Sequence, residues 1–345
     1  MRMGTLVGAR RGDMRYVVGT LLADYGLLLM FGVLVAIFTI ANPGFLTVAN
    51  VRSLLEQNAA LAIVAVGTTF AIISRNIDLS PGSLIALSGV ALALVFAATG
   101  NIVLGLLAAL GVALAIELFN ALLIVGAGID PLIVTLAAWI WVRGLAVSLT
   151  DASSVVVRSP FIDFMNSFEL LGISPPIVLI GLAYLAGWFL LNKTRLGRYT
   201  YAIGGDERAT RQAGVNTALY KILMFLMFGV FVWIGAIVTV SRLGAAAPDA
   251  AYGLELDAIV AVIIGGTAFQ GGEGSLRRTA VGVLFIAVLN NGLSTMGMRD
   301  ASFYAFKGTA ILLALLFEVL SRQLLRGATV WGSDRPGTGE ADALL

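Results

Sequence analysis

The chain has 345 residues, of which 59% are hydrophobic and 12% charged, and its 22 Lys and Arg against 20 Asp and Glu leave a net charge of +2. Soluble domains carry about 25% charged residues, and a mean hydropathy of +0.95 makes lipid the solvent required for most of the surface. The absence of Cys and His removes disulfides, thiol nucleophiles, imidazole acid–base chemistry and most transition-metal sites, so no metal is expected; no basic stripe with interleaved aromatics points to nucleic acid.

Residues 1–20, with Arg2, Arg10, Arg11 and Arg15, are expected to form a basic cytoplasmic segment ahead of a retained anchor, because a long apolar stretch follows without a small-x-small cleavage site. A spanning helix needs about 20 apolar residues to cross about 30 Å of hydrocarbon. Residues 25–41, 57–74, 170–192, 222–241 and 279–298 each predict one crossing. The interval 79–116 is about twice that length, and Gly100-Asn101 at its centre predicts two helices joined by a tight turn. Further apolar stretches surround Glu117, Asp130-Pro131 and Arg143, then Asp257, then Lys307, giving an all-α polytopic membrane protein of about ten transmembrane helices over 21–324. Residues 325–345, rich in Gly, Asp and Pro, are expected to be a disordered cytoplasmic tail.

Placing both termini in the cytoplasm puts Lys193, Arg195, Arg198, Arg208, Arg211, Arg277, Arg278, Arg322 and Arg326 inside. The opposite loops then carry Asp151, Asp163, Glu169, Asp249 and Glu255 with Arg52, Arg158, Arg242 and Arg299, as the positive-inside rule requires.

Within the inward-facing loop 193–219, Asp206 follows Gly204-Gly205, Glu207 and Arg211 are spaced i,i+4 with Arg208 between them, and Gly214 comes next. The pattern predicts a short helix with its own N-cap, ion pair and terminator. A helix this short is marginal alone; it is either a docking element for a partner or a solvated loop.

Asp78, Ser80, Glu117, Asn120, Arg143, Asp257, Asn290, Asn291 and Lys307 fall within or beside apolar spans and are candidates for a translocation pathway, since a charge at a helix centre costs roughly 2.5–3.5 kcal/mol on insertion scales. Each has a plainer alternative. Asp78 and Asp257 would cap broken helix ends, Asn120, Asn290 and Asn291 would bond helix to helix, and Arg143 would form an ion pair or an interfacial anchor. Asp78 and Asp257 each lie in a glycine-broken apolar segment, one in each half of the chain, a paired interruption found at midplane transport sites.

Six segments carry a resemblance. They are Ile77-Asp78-Leu79-Ser80-Pro81-Gly82-Ser83; Pro131-Leu132-Ile133-Val134-Thr135-Leu136 with Arg143-Gly144; Leu196-Gly197-Arg198-Tyr199 running to Gly204-Gly205-Asp206-Glu207 and Ala213-Gly214-Val215-Asn216; Leu254-Glu255-Leu256-Asp257-Ala258-Ile259 with Gly265-Gly266-Thr267; Gly271-Gly272-x-Gly274; and Asn290-Asn291-Gly292. In this order, over residues 42–321, the chain resembles the ribose, xylose and galactofuranose class of ABC permeases. It departs from that pattern at Arg277-Arg278-Thr279, Pro81 and Ala121.

The resemblance implies a type II ABC importer permease in the bacterial inner membrane. Two permease chains, as a homodimer or a heterodimer, would form the path. Cytoplasmic ABC ATPase subunits would dock on Gly204, Gly205, Asp206, Glu207, Arg208, Arg211 and Gly214, and a periplasmic binding protein would deliver a pentose or hexose. The chain is expected to carry no cofactor and no enzymatic site: it has no G-x-x-x-x-G-K-[ST] phosphate loop, so ATP with Mg would be held by the partner subunit. The other reading of the same residues is a proton-coupled secondary transporter with Asp78 and Asp257 as carriers.

Overall fold

The computed structural model describes residues 14–169, 172–298, 302–313 and 316, with backbone alone for 14–25. The expected tail 325–345, most of the basic segment 1–20, and Arg299, Arg322 and Arg326 lie outside the described residues. The chain divides into two compact units, Phe38–Gly297 and the stretches that flank it. The flanking unit contributes most of α1 (Met14–Ala41) and a helical run over 302–313.

The larger unit is built of α2 (Val48–Gln57), α3 (Ala59–Ile73), α4 (Pro81–Thr99), α5 (Ile102–Gly126), α6 (Pro131–Leu149), α7 (Pro160–Ser167), α8 (Pro175–Lys193), α9 (Arg195–Gly205), α10 (Glu207–Gln212), α11 (Thr217–Leu243), α12 (Leu254–Ile264) and α13 (Leu276–Thr295). One two-residue antiparallel ribbon pairs β1 (Val155–Val156) with β2 (Ala245–Ala246), Val155 opposite Ala246. Helix ends follow local chemistry. Gly100 closes α4 at φ 66°, a left-handed conformation that costs glycine little, and Asn101 opens α5 by accepting from the Val103 N–H at 2.9 Å. Asp130 caps α6 through the Leu132 N–H at 2.9 Å, with Pro131 in the first turn.

Among the described residues, α4, α5, α6, α8 and α11 are long and apolar enough to cross a membrane, and α2 with α3, bent by 51° at Asn58, makes a sixth candidate. The stretch around Asp257 does not form the full span expected of it. Helix α12 has 11 residues, about 16 Å at the α-helical rise, because Gly265-Gly266 ends it, Gly266 at φ 79°.

Helix α3 is the centre of the unit: all 15 of its residues are buried, the pattern of a helix apolar on every side. Ile63, Val66, Phe70 and Ile73 pack with Ala183 and Leu191 of α8, Phe231 and Val238 of α11 and Leu276 of α13. Glycines set the separations. A Cβ on Gly67 would sit 2.1 Å from the Phe228 ring, one on Gly187 2.3 Å from Val66, and one on Gly282 1.9 Å from the Ala261 carbonyl oxygen. Close backbone approach through small residues drives helix association where lipid removes the hydrophobic incentive. Leu104, Leu107, Leu118, Phe119 and Leu122 of α5 and Leu182, Leu185 and Phe189 of α8 turn outward and exposed, the surface that hydrocarbon would wet.

Candidate functional site

At one end of the larger unit, α9 and α10 lie across the termini of α3 and α11. Asp206, extended at φ −154°, caps α10 by accepting from the Ala209 N–H at 2.9 Å. Glu207 accepts from Arg211 Nη2 at 2.9 Å and from Lys221 Nζ at 2.6 Å, so one carboxylate closes α10 and ties it to α11. Partial burial pulls the Glu207 carboxyl upward, but the hydrogen bonds and charge of Lys221 with the Arg211 contact outweigh it and hold the group below its ordinary value. Gly214 follows at φ 84°.

Gly204 and Gly205 join this helix pair to the core. A Cβ on Gly204 would lie 1.7 Å from the Ile73 carbonyl oxygen and 2.6 Å from the Gly272 nitrogen, while one on Gly205 would meet nothing within 4 Å. The Gly272 N–H donates to the Ile73 carbonyl at 2.8 Å. Arg75, left-handed at φ 61°, donates through Nε to the Gln270 carbonyl and through Nη2 to the Gly205 carbonyl at 3.4 Å. Three chain segments therefore meet backbone to backbone. On either side of α10 lie grooves of about 750 Å³, lined by Arg75, Asp206, Arg208 and Arg211, and about 710 Å³, running between the α5–α6 turn and α11. Arg208 and Arg211 are exposed.

A second group gathers at the break between α3 and α4. Asp78 Oδ1 accepts from the Ser80 N–H and from Ser80 Oγ, both at 2.7 Å. Glu117 of α5 lies near the same carboxyl, and Asn120 stands one turn on in α5, with neither of its amide atoms hydrogen-bonded. Asp78 is 1% exposed and Ser80, Glu117 and Asn120 are 0% exposed, so in this conformation four pathway candidates form one sealed polar cluster. Asp78 Oδ2 and both Glu117 oxygens receive no N–H or hydroxyl donor.

The other candidates separate. Arg143 Nη1 donates to the Pro248 and Ala250 carbonyls at 2.9 and 2.8 Å, and its guanidinium stands 5.9 Å over the Tyr252 ring, so it clamps the loop before α12. Asn290 Nδ2 donates to Asp257 Oδ2 at 3.3 Å beside an open cleft. Asn291 and Asn50 exchange reciprocal amide hydrogen bonds at 3.0 and 3.3 Å, joining α13 to α2. Lys307 lies in the other unit, with Nζ 5.8 Å over the Phe303 ring.

Three features escaped the sequence. Helix α9 reads as loop in the sequence, because Leu196-Gly197 and Gly204-Gly205 carry breaker signals at both of its ends; Gly197 is there to let the backbone pass Leu191, whose carbonyl oxygen a Cβ would meet at 1.9 Å. The Ile73–Gly204–Gly272 junction has no local signature beyond its glycines. Glu255, 2% exposed, was taken as a loop charge, whereas it begins α12 and packs on Gly82, where a Cβ would come 2.0 Å from its carboxylate.

The family model described as branched-chain amino acid transport system / permease component matches residues 50–315. The ribose import permease protein of Escherichia coli strain K12 is 35% identical over 308 residues, covering 88% of this chain and 96% of that one. The ribose import permease protein of Bacillus subtilis strain 168 is 37% identical over 288 residues, 83% and 89% of the two chains. The D-allose transport system permease protein of Escherichia coli strain K12 is 33% identical over 300 residues, 86% and 91%. No solved structure matches the chain.

Proposed function

Because the chain belongs to the branched-chain amino acid transport system / permease component family, we propose that it is the membrane-spanning subunit of a bacterial ABC importer that carries a monosaccharide across the inner membrane. The observation that carries this reading is the near full-length similarity to permeases named for ribose and for allose. A pentose and a hexose among those names support a monosaccharide of either size as the substrate class.

In this reading about ten helices span the bilayer, both termini are cytoplasmic, and α10 faces the cytoplasm. ATP with Mg binds to a partner ATPase, a periplasmic binding protein supplies the sugar, and a second permease chain completes the path. Closure of the ATPase pair pushes on α10. The Asp206 cap and the Glu207–Lys221 bond make α10 rigid enough to pass that displacement to α11, and Gly204 passes it to the α3 terminus; the exposed Arg208 and Arg211 are the contacts offered to the ATPase. Alternating access follows as the spans shift about a fixed site.

The test is uptake into proteoliposomes containing this chain, its ATPase and its binding protein. Arg208→Glu with Arg211→Glu is expected to lower ATP-driven ribose uptake at least tenfold while the chain remains inserted. Uptake by the chain alone, driven by a pH gradient without ATP, would instead establish the proton-coupled alternative.

A further inference from the structure

At the end of the unit opposite α10, a cleft of about 340 Å³ opens between the α2–α3 bend, the last turns of α11, the start of α12 and the middle of α13. Its place follows from helix direction: α11 leaves α10 at Thr217 and reaches the cleft at Val238, about 30 Å away at 1.5 Å per residue. The volume lies at the lower end of the roughly 300–1,000 Å³ seen for small-molecule sites.

Its walls carry two kinds of side chain. Leu61, Val238 and Leu254 are apolar. Interleaved with them are Glu56, Asn58, Arg242, Asp257 and Asn290, Arg242 one turn from Val238 and Asp257 one turn from Leu254 on the same helices, with Tyr252 in the loop before α12. Asn290 is the informative member: its Nδ2 is committed to Asp257, while its Oδ1 is buried and receives no donor. A buried acceptor left without a donor costs about 1–3 kcal/mol, and at the wall of a cleft a ligand hydroxyl can satisfy it. Arg242 spends Nη1 on the Gln57 carbonyl at 2.8 Å and has further N–H groups to offer.

Acceptors, an amide and a guanidinium interleaved with aliphatic carbon match a molecule that presents hydroxyls and C–H groups together. Glu56 is paired with Arg52 at 2.8 Å, which leaves Asp257 against Arg242 and no excess charge to draw an ionic ligand. We propose that this cleft is a binding site for a neutral monosaccharide, with Asp257, Asn290 and Arg242 bonding its hydroxyls and Tyr252 covering a C–H face. The inference rests on the monosaccharide reading above and deepens it: under that reading the cleft lies on the side from which sugar arrives, remote from the nucleotide-driven end.

The chain contains no cysteine, so one introduced thiol reports alone. In the assembled transporter, Thr239→Cys is labelled with a membrane-impermeant maleimide in the presence of D-ribose, D-allose or L-leucine. Both sugars are expected to slow labelling at least threefold and L-leucine to leave it unchanged. Asn290→Ala and Asp257→Asn, the second of which keeps an acceptor for Asn290, are expected to cut sugar uptake at least tenfold while the chain remains inserted and assembled with its ATPase. Sugar uptake by the parent with labelling indifferent to sugar, or with both variants transporting at the parental rate, overturns the cleft assignment alone. A parent that takes up no monosaccharide overturns the proposed function and this site with it.

Discussion

Asp78 and Glu117 hold two carboxyl groups against each other with solvent excluded, and no ion pair found among the described residues includes either one. Ser80 supplies both of its donors to one oxygen of Asp78; the other oxygen, like both of Glu117, receives no donor. Glu117→Gln brings an amide N–H into this donor-poor cluster, and is expected to change stability by no more than about 1 kcal/mol. Glu117→Ala leaves a cavity beside Gly229, whose Cβ position lies 3.1 Å from Glu117 Cγ, and is expected to cost about 2–4 kcal/mol. Thermal unfolding in detergent separates them, and equal losses for both would show that the volume of the side chain at 117 is not what matters. The sequence marked Asp78, Ser80, Glu117 and Asn120 as polar groups out of place in an apolar chain. It could not pair them, because the pairing is made by the packing of α4 on α5. Glu255 was lost for the converse reason: charge next to a loop reads as solvated, and only the bare backbone of Gly82 makes room to bury it.

The helices themselves were more legible than their joints. The turn at Gly100-Asn101 and the capped segment Asp206–Gly214 carry their signals within a few residues, and the structure has both. The sequence around Asp257 reads as a longer helix than α12 because Ala268 and Phe269 carry the apolar run past Gly265-Gly266 while the helix stops there, and α9 reads as loop because glycines needed for close packing look the same as glycines needed for turns. Adjacent Gly204 and Gly205 distinguish these two uses. Gly204→Ala drives a methyl group into the Ile73 carbonyl and is expected to destabilise by about 1–3 kcal/mol or more, whereas Gly205→Ala enters open space and is expected to stay within about 0.5 kcal/mol. Chemical denaturation of the two variants, read by tryptophan fluorescence, checks the contrast; a Gly205→Ala loss as large as that of Gly204→Ala would show that the junction is not set by this contact.

Across the larger unit, charge is unevenly shared between its ends. Lys193, Arg195, Arg198, Arg208 and Arg211 border or occupy α9 and α10, with Arg277 and Arg278 at the start of α13. The cleft end carries Arg52, Glu56 and Glu169, joined by salt bridges, together with Arg242 and Asp249. An inserted chain with α10 in the cytoplasm is expected to be cut by trypsin at Arg208 and Arg211 in inside-out vesicles and to resist at those sites in right-side-out vesicles. The opposite pattern on an electrophoresis gel would invert the orientation. Composition and punctuation alone disclosed a many-helix membrane protein, but which spans are central and which meet lipid came from packing, since α3 and α8 are both apolar and only α3 is enclosed.

The bend of 51° at Asn58 joins a helix enclosed along its whole length to a polar one with a single buried residue. Beyond it α3 is locked on every side; before it α2 buries only Leu54 and is fastened by the Asn50–Asn291 amide pair and by surface charges. Glu56, Gln57 and Asn58, on the rim of the cleft, sit at the joint between the two helices, and the Arg242 bond to the Gln57 carbonyl fastens that joint to α11, so one guanidinium holds the rim that three helices share.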